Sequence, residues 1–191
     1  MLLFVAVGMS AQLKMRDLFA SMPDSLMPVL SKNNRLDCID FIEAGMQARV
    51  RNQMDGSSEL TALDERFLSM QVSSASSVEM LLLPDSTLCM VRTYAGPAKE
   101  STVEFYGTQW NRLSTKAEFP EVKDFFVSCP DSVQSRMDGI ILQLQDLPFM
   151  EAHLKSDDNS IVWSLWLGEL AKEDEKLASE YLTSVSRPLK P

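Results

Sequence analysis

The stretch "RFLSMQVSSASSVEMLLLPDSTLCMVRTYAGPAKESTVEFYG", residues 66–107, decides the fold. Within it Leu68, Met70 and Val72 alternate with polar neighbours, the period-two pattern of a strand that buries one face. "SVEMLLL" at 77–83, "TLCMVRTY" at 87–94 and "TVEFYG" at 102–107 continue the texture. Between them "PDS" and "AGPAKES" supply residues that fix or permit turn backbone. Connections this short force successive strands to run antiparallel, so the pattern predicts a four-stranded meander.

Upstream the period changes to that of helices. In "LKMRDLFASM", residues 13–22, Met15, Leu18, Phe19 and Met22 share one face, and Pro23 ends the run because it cannot donate the next helical hydrogen bond. "PDSLMPVL" reads as a turn or a single helical turn interrupted again at Pro28. A further helix is expected with Asn33 or Asn34 as its N-cap, Leu36, Ile39, Ile42 and Met46 as its apolar stripe, and Gly45 near its end.

Downstream, "PDSVQSRMDGIILQLQDL" from Pro130 is helical in period, weakened at Gly139 and stopped near Pro148. "FMEAHLK" at 149–155 and "SIVWSLWL" at 160–167 form a second hairpin across Ser156-Asp157-Asp158-Asn159. A last helix carries Leu170, Leu177, Tyr181 and Leu182, and "RPLKP" reads as an edge strand or a tail. The fold class expected is therefore α+β: N-terminal helices, an antiparallel meander, a helix, a second hairpin and a C-terminal helix. "EMLLLPDSTLCMVRTYAGPAKE" from Glu79 also aligns with "EAHLKSDDNSIVWSLWLGELAKE" from Glu151. Such an echo suits a duplicated hairpin, although shared hairpin chemistry produces the same likeness.

Composition narrows the function classes. With 191 residues, 45% apolar and 24% charged, the chain has the makings of one folded domain, expected over residues 12–191. Its net charge of −9, with no basic run, opposes binding to nucleic acid or to an anionic membrane. The mixed charges of "ELAKEDEKLASE", residues 169–180, fit a solvated helix face. "MLLFVAVGMSAQ" opens with an apolar run too short for the roughly 20 residues that span a bilayer, but suited to a signal peptide cleaved after Ala11. It lacks a preceding Lys or Arg, which a trimmed start explains, and has Met9 where a small residue is usual, which trimming does not explain. Residues 1–11 are read as a truncated signal peptide and the protein as exported, periplasmic or extracellular, the alternative being a buried N-terminal strand or helix.

No catalytic set emerges. Cys38, Cys89 and Cys129 are too dispersed for a zinc site and odd in number, and are expected to be small buried apolar residues. Proline-aspartate-serine recurs at residues 23–25, 84–86 and 130–132, where capping and turn formation explain it without a nucleophile. Asp157-Asp158-Asn159 lacks the spacing of a calcium loop. Glycine-rich phosphate loops and the common hydrolase, zinc-protease and redox motifs do not occur. Neither a cofactor nor a metal is therefore expected. His153, the single histidine, would share a strand face with Glu151 and Phe149 and is the one residue through which acid–base chemistry could pass. Trp163 and Trp166 fall on opposite faces of their strand, one toward the core and the other open to serve as an aromatic platform for a partner or a glycan, although helices on the second face of the sheet would bury both and core use of both is the favoured reading.

The blocks "LFASMPDSLMPVLSKNNRLDCIDFIEAGM", "SSELTALDERFLSMQVS", "SVEMLLLPDSTLCMV", "YAGPAKES" with "VEFY", the tryptophan of "TQWNRL", and "LKSDDNSIVWSLW" together resemble the Bacteroidales family DUF3256, a domain of unknown function. The resemblance spans nearly everything after Gln12 and implies a small exported protein, with no catalytic residue to carry over. The leading expectation is an exported, non-enzymatic module that binds a protein or small ligand of the cell envelope, with His153, Trp163 and Trp166 on the binding surface. The alternative is an envelope enzyme, a hydrolase using His153 with carboxylates. A deep cleft holding His153 beside two carboxylates favours the enzyme, and a shallow apolar patch at Trp163 or Trp166 favours binding.

Overall fold

The computed structural model describes residues 13–168 and 170–190. The candidate signal segment, residues 1–11, lies outside the described residues. Helix α1 (Met15–Ser21) and a 3-10 turn (Asp24–Leu26) precede helix α2 (Lys32–Glu43). A continuous meander follows: β1 (Ala48–Arg51), β2 (Ser57–Leu63), β3 (Phe67–Ser73), β4 (Ser76–Leu82), β5 (Leu88–Ala95) and β6 (Lys99–Tyr106). Helix α3 (Asp131–Gln145), β7 (Met150–Lys155), β8 (Ser160–Leu165), α4 (Lys172–Tyr181) and β9 (Val185–Pro188) complete the α+β order. Strands β1 to β6 pair in sequence as one six-stranded antiparallel sheet, and β7, β8 and β9 form a second antiparallel sheet of three.

The meander is two strands longer than the four expected. Strand β1 is only "ARVR", with arginines on its outward positions, and β2 slips register between Leu60 and Ala62. A bulge of that kind breaks the period-two signal. The "RPLKP" segment contributes to β9, an edge strand. Of the two echoing hairpins, one lies in each sheet, and the Ala-Lys-Glu that ends each copy is turn and strand at residues 98–100 but enters helix α4 at residues 171–173.

The large sheet is covered on both faces. One face presents Leu68, Met70, Val78, Met80 and Met90 to Met15, Leu18, Phe19 and Ile39 of α1 and α2. The other presents Leu81, Cys89, Val91 and Phe105 to the small sheet and to Met137, Ile140 and Ala178 of α3 and α4. Strands β4 and β5 are sandwiched, which is why "MLLL" and "LCMV" are apolar runs rather than alternations.

Helix α2 departs from the expected assignment. Its N-cap is Ser31, whose Oγ accepts from the Asn34 amide at 3.2 Å while Asn34 Oδ1 accepts from the Ser31 amide at 3.3 Å, a reciprocal capping box. Ile39 is buried as expected, but Leu36 and Met46, expected in the same stripe, are 38% and 53% exposed, and the helix also buries Arg35 and Cys38. Arg35 sets that rotation. Its guanidinium donates to the carbonyls of Phe19 (3.2 Å), Leu30 (2.9 Å) and Met22, and to Asp24 Oδ1 at 2.8 Å. These acceptors lie at the end of α1 and around the proline-bounded turn, so one buried cation satisfies the carbonyls that a broken helix leaves open.

The three proline-aspartate-serine turns are used differently. Asp24 pairs with Arg35, Asp85 closes the β4–β5 hairpin by accepting from the Thr87 amide and hydroxyl, and Asp131 opens α3 with no side-chain cap bond. Cys38 and Cys89 are buried, and burial pushes their thiols up to about 11 and about 12. Cys129 is only half-buried, its thiol donating to Gln134 Oε1 at 3.1 Å. All three cysteines are free thiols.

Candidate functional site

Strand β7 lies along the large sheet from β6 to β4, and its outward edge is closed by side chains. Ser101 Oγ on β6 accepts from the Ala152 amide at 2.9 Å, and Glu79 Oε2 on β4 accepts from the Leu154 amide at 2.7 Å. A strand edge that would otherwise offer free donors is capped by the neighbouring sheet.

His153 stands between those two contacts. Its Nδ1 lies 2.9 Å from Glu79 Oε1 and its Nε2 3.2 Å from Glu151 Oε1, and Lys99 Nζ lies 2.8 Å from the same Glu151 oxygen. The hydrogen bond to Glu79 is the largest influence on the imidazole and raises its pKa above the ordinary value, with the charges of both carboxylates acting the same way against partial burial. In its protonated form both ring nitrogens are donors, one to each carboxylate. The Glu151 neighbour follows from strand alternation; Glu79, from the other sheet, does not. The echo between the hairpins had singled out these two glutamates as equivalent positions, and the fold brings both to the same histidine.

The two tryptophans diverge as expected from their odd spacing. Trp163 is fully buried in the core, where the ring of Phe119 lies 4.7 Å from it, centroid to centroid. It belongs to packing and not to a binding surface. Trp166 follows β8 and is half-buried on the outer face. Its indole lies against Gly168, where an added Cβ would fall 2.4 Å from the ring, and Phe149 meets it edge-on at 5.6 Å. Its amide donates to the Phe149 carbonyl at 3.0 Å. The ring is therefore fixed in orientation by backbone and aromatic contacts.

Beside it opens a groove of about 420 Å³, walled by the Ala95–Ala98 turn, Lys99, Glu151, Ser164 and Trp166. That volume lies within the roughly 300–1,000 Å³ of small-ligand sites. Glu151 joins the groove to the His153 cluster. The groove is open and His153 lies beside it with both carboxylates already engaged, so the arrangement combines the shallow aromatic surface with the carboxylate pair. Lys99 reads in sequence only as part of the "AGPAKES" turn, and nothing in the sequence singles out Gly168.

Elsewhere the Asp157–Asn159 turn is tied by Arg66 Nη2, which donates to the Ser156 carbonyl at 2.7 Å and to Asn159 Oδ1 at 3.1 Å. Among the described residues no three His, Cys, Asp or Glu side chains are placed to hold a metal ion, and no helix is long and apolar enough to cross a membrane.

No curated protein matches the chain. Among solved structures it is similar to a domain of an uncharacterized protein from Porphyromonas gingivalis W83, at 25% identity over 90% of each chain with a TM-score of 0.71. Residues 6–187 match the family described as "Protein of unknown function (DUF3256)", and the chain belongs to that family.

Proposed function

We propose that the protein is a non-enzymatic binding module of the cell envelope, which takes its ligand in the groove beside Trp166. The observation that carries this reading is the indole itself, held by Gly168 and Phe149 at the wall of an open groove of about 420 Å³. A rigid aromatic surface binds at little cost in side-chain entropy. Export rests on the apolar start of the sequence, and it gives the module an envelope location.

Acid–base catalysis through His153 is the weaker reading. A general base needs a nitrogen lone pair aimed at substrate, whereas both nitrogens here face carboxylates and the raised pKa favours the form without a lone pair. Ligand-observed NMR screening of the mature protein tests the proposal. Ligands retained by the wild type and lost in Trp166→Ala support it; ligands indifferent to that substitution, or turnover abolished by His153→Ala, overturn it. Fractionation of cells expressing the full chain tests export, and a wholly cytoplasmic product would refute it.

A further inference from the structure

Resting on that reading of the groove, we infer that its occupant is an uncharged saccharide. Four features of the site select this chemistry. A sugar ring has one face of C–H bonds and a rim of hydroxyls, and the groove offers matching chemistry: the indole of Trp166, fixed by Phe149 and Gly168, with polar side chains around it. Lys99 Nζ uses one of its three hydrogens on Glu151 Oε1, 2.8 Å away, so its remaining hydrogens and the second oxygen of Glu151 present donors and an acceptor side by side, the pair that a vicinal diol can bridge. The groove is also lined by Ala95, Gly96, Pro97 and Ala98, whose small side chains leave room for a ring. Ser164 adds a hydroxyl on the same outer face as Trp166.

The other ligand classes meet specific obstacles. An extended peptide gains affinity by adding to a strand edge, but the outward amides of β7 at Ala152 and Leu154 are already taken by Ser101 and Glu79. An anion would depend on Lys99, whose charge Glu151 already offsets within a protein of net charge −9. A purely apolar ligand would bury the Lys99–Glu151 pair without replacing its water. A neutral polyhydroxylated ring replaces that water with its own hydroxyls.

The test is titration of the isotope-labelled mature protein with a panel of neutral oligosaccharides: gluco-, xylo-, manno- and chito-configured, each of two to six units. The Trp166 indole N–H resonance, assigned by its loss in Trp166→Phe, is followed together with calorimetric affinity. The expected result is saturable binding of at least one configuration with that resonance shifting. Affinity should fall about tenfold or more in Trp166→Ala, a few-fold in Trp166→Phe and about fivefold in Lys99→Met, with the rest of the spectrum unchanged in each variant. Failure of every oligosaccharide to shift the Trp166 resonance overturns the saccharide. If short peptides or anionic ligands then bind with Trp166 dependence, the groove stands and only its chemistry is wrong. If they also fail, the groove falls with it.

Discussion

The two faces of the meander are closed by different chemistry. Against α1 and α2 the closure is apolar with one buried cation, Arg35, whose guanidinium is spent on three backbone carbonyls and Asp24. Against β7 it is apolar beneath and ionic at the margin, where Glu79, His153, Glu151 and Lys99 form a chain linking the two sheets. A guanidinium stays charged at every pH a protein survives, so the cation of the first closure does not titrate and near neutral pH that closure is constant. An imidazole does not, so the second has a titratable member. One face of the sheet is built for permanence, and the other places its adjustable group next to the candidate groove.

Breaking the permanent side should cost most. Arg35→Met keeps much of the side-chain volume but removes every donor, so the carbonyls of Phe19, Met22 and Leu30 lose the guanidinium, Phe19 alone keeping the Met22 amide at 3.3 Å. We expect a loss of about 3–5 kcal/mol in urea denaturation. A loss below about 1 kcal/mol would show that water replaces the guanidinium and that Arg35 is not the organiser of this corner.

On the opposite face, Glu79→Gln retains the shape of the group that caps the Leu154 amide but removes the charge facing His153. The expected loss is about 1–1.5 kcal/mol, the difference between hydrogen bonds to a charged and to a neutral acceptor, measured by the same denaturation at pH 6. A double-mutant cycle with His153→Gln separates the two contacts. Coupling near zero would mean that Glu79 acts only through the Leu154 amide.

Which parts of this arrangement were legible follows from how local their causes are. Strand β3 follows from alternation, β4 and β5 from short apolar runs set between turn residues, and the buried face of α1 from helical period, all in contiguous residues. Burial of Arg35 does not, because an arginine in a helix reads as surface unless one knows that three carbonyls converge on it. The same holds at the candidate site. Glu151 beside His153 is a relation two residues apart on one strand, whereas Glu79 reaches His153 across 74 positions of sequence. Odd spacing separates the faces of Trp163 and Trp166 without saying which ring is buried, and the structure makes Trp163 core. What fixes the Trp166 ring includes a glycine two residues on, whose role depends on a close approach that sequence does not display.

Gly168→Ala tests that support. Its Cβ would fall within 2.4–2.9 Å of three indole atoms, so the ring must move. The expected cost in stability is about 1 kcal/mol. The Trp166 indole N–H resonance should shift while those of Trp110 and Trp163 stay in place. An unmoved indole resonance would mean that the ring is held from elsewhere and that the glycine is incidental.

The smallest effect is the one that separates the two faces most cleanly. Because Glu79 and Glu151 raise the pKa of His153 in the folded state, folding favours the protonated ring. The contribution is fully present below the unfolded value of about 6.5 and is lost as pH rises through the higher folded value. The imidazole is half exposed, so solvent screening limits the effect to roughly 0.5–1 kcal/mol. Measured as the stability difference between the wild type and His153→Gln, it should be largest near pH 5.5 and shrink toward pH 9. Titration of every other carboxylate and amine cancels in that difference, apart from Glu79 and Glu151 themselves. Arg35→Met, compared with the wild type over the same range, should show a pH-independent gap, since its partners are carbonyls and Asp24. A His153→Gln gap that instead widens with pH would mean that the folded protein prefers the neutral ring. A lone pair would then be available beside Trp166, and acid–base chemistry in the groove would become the better reading.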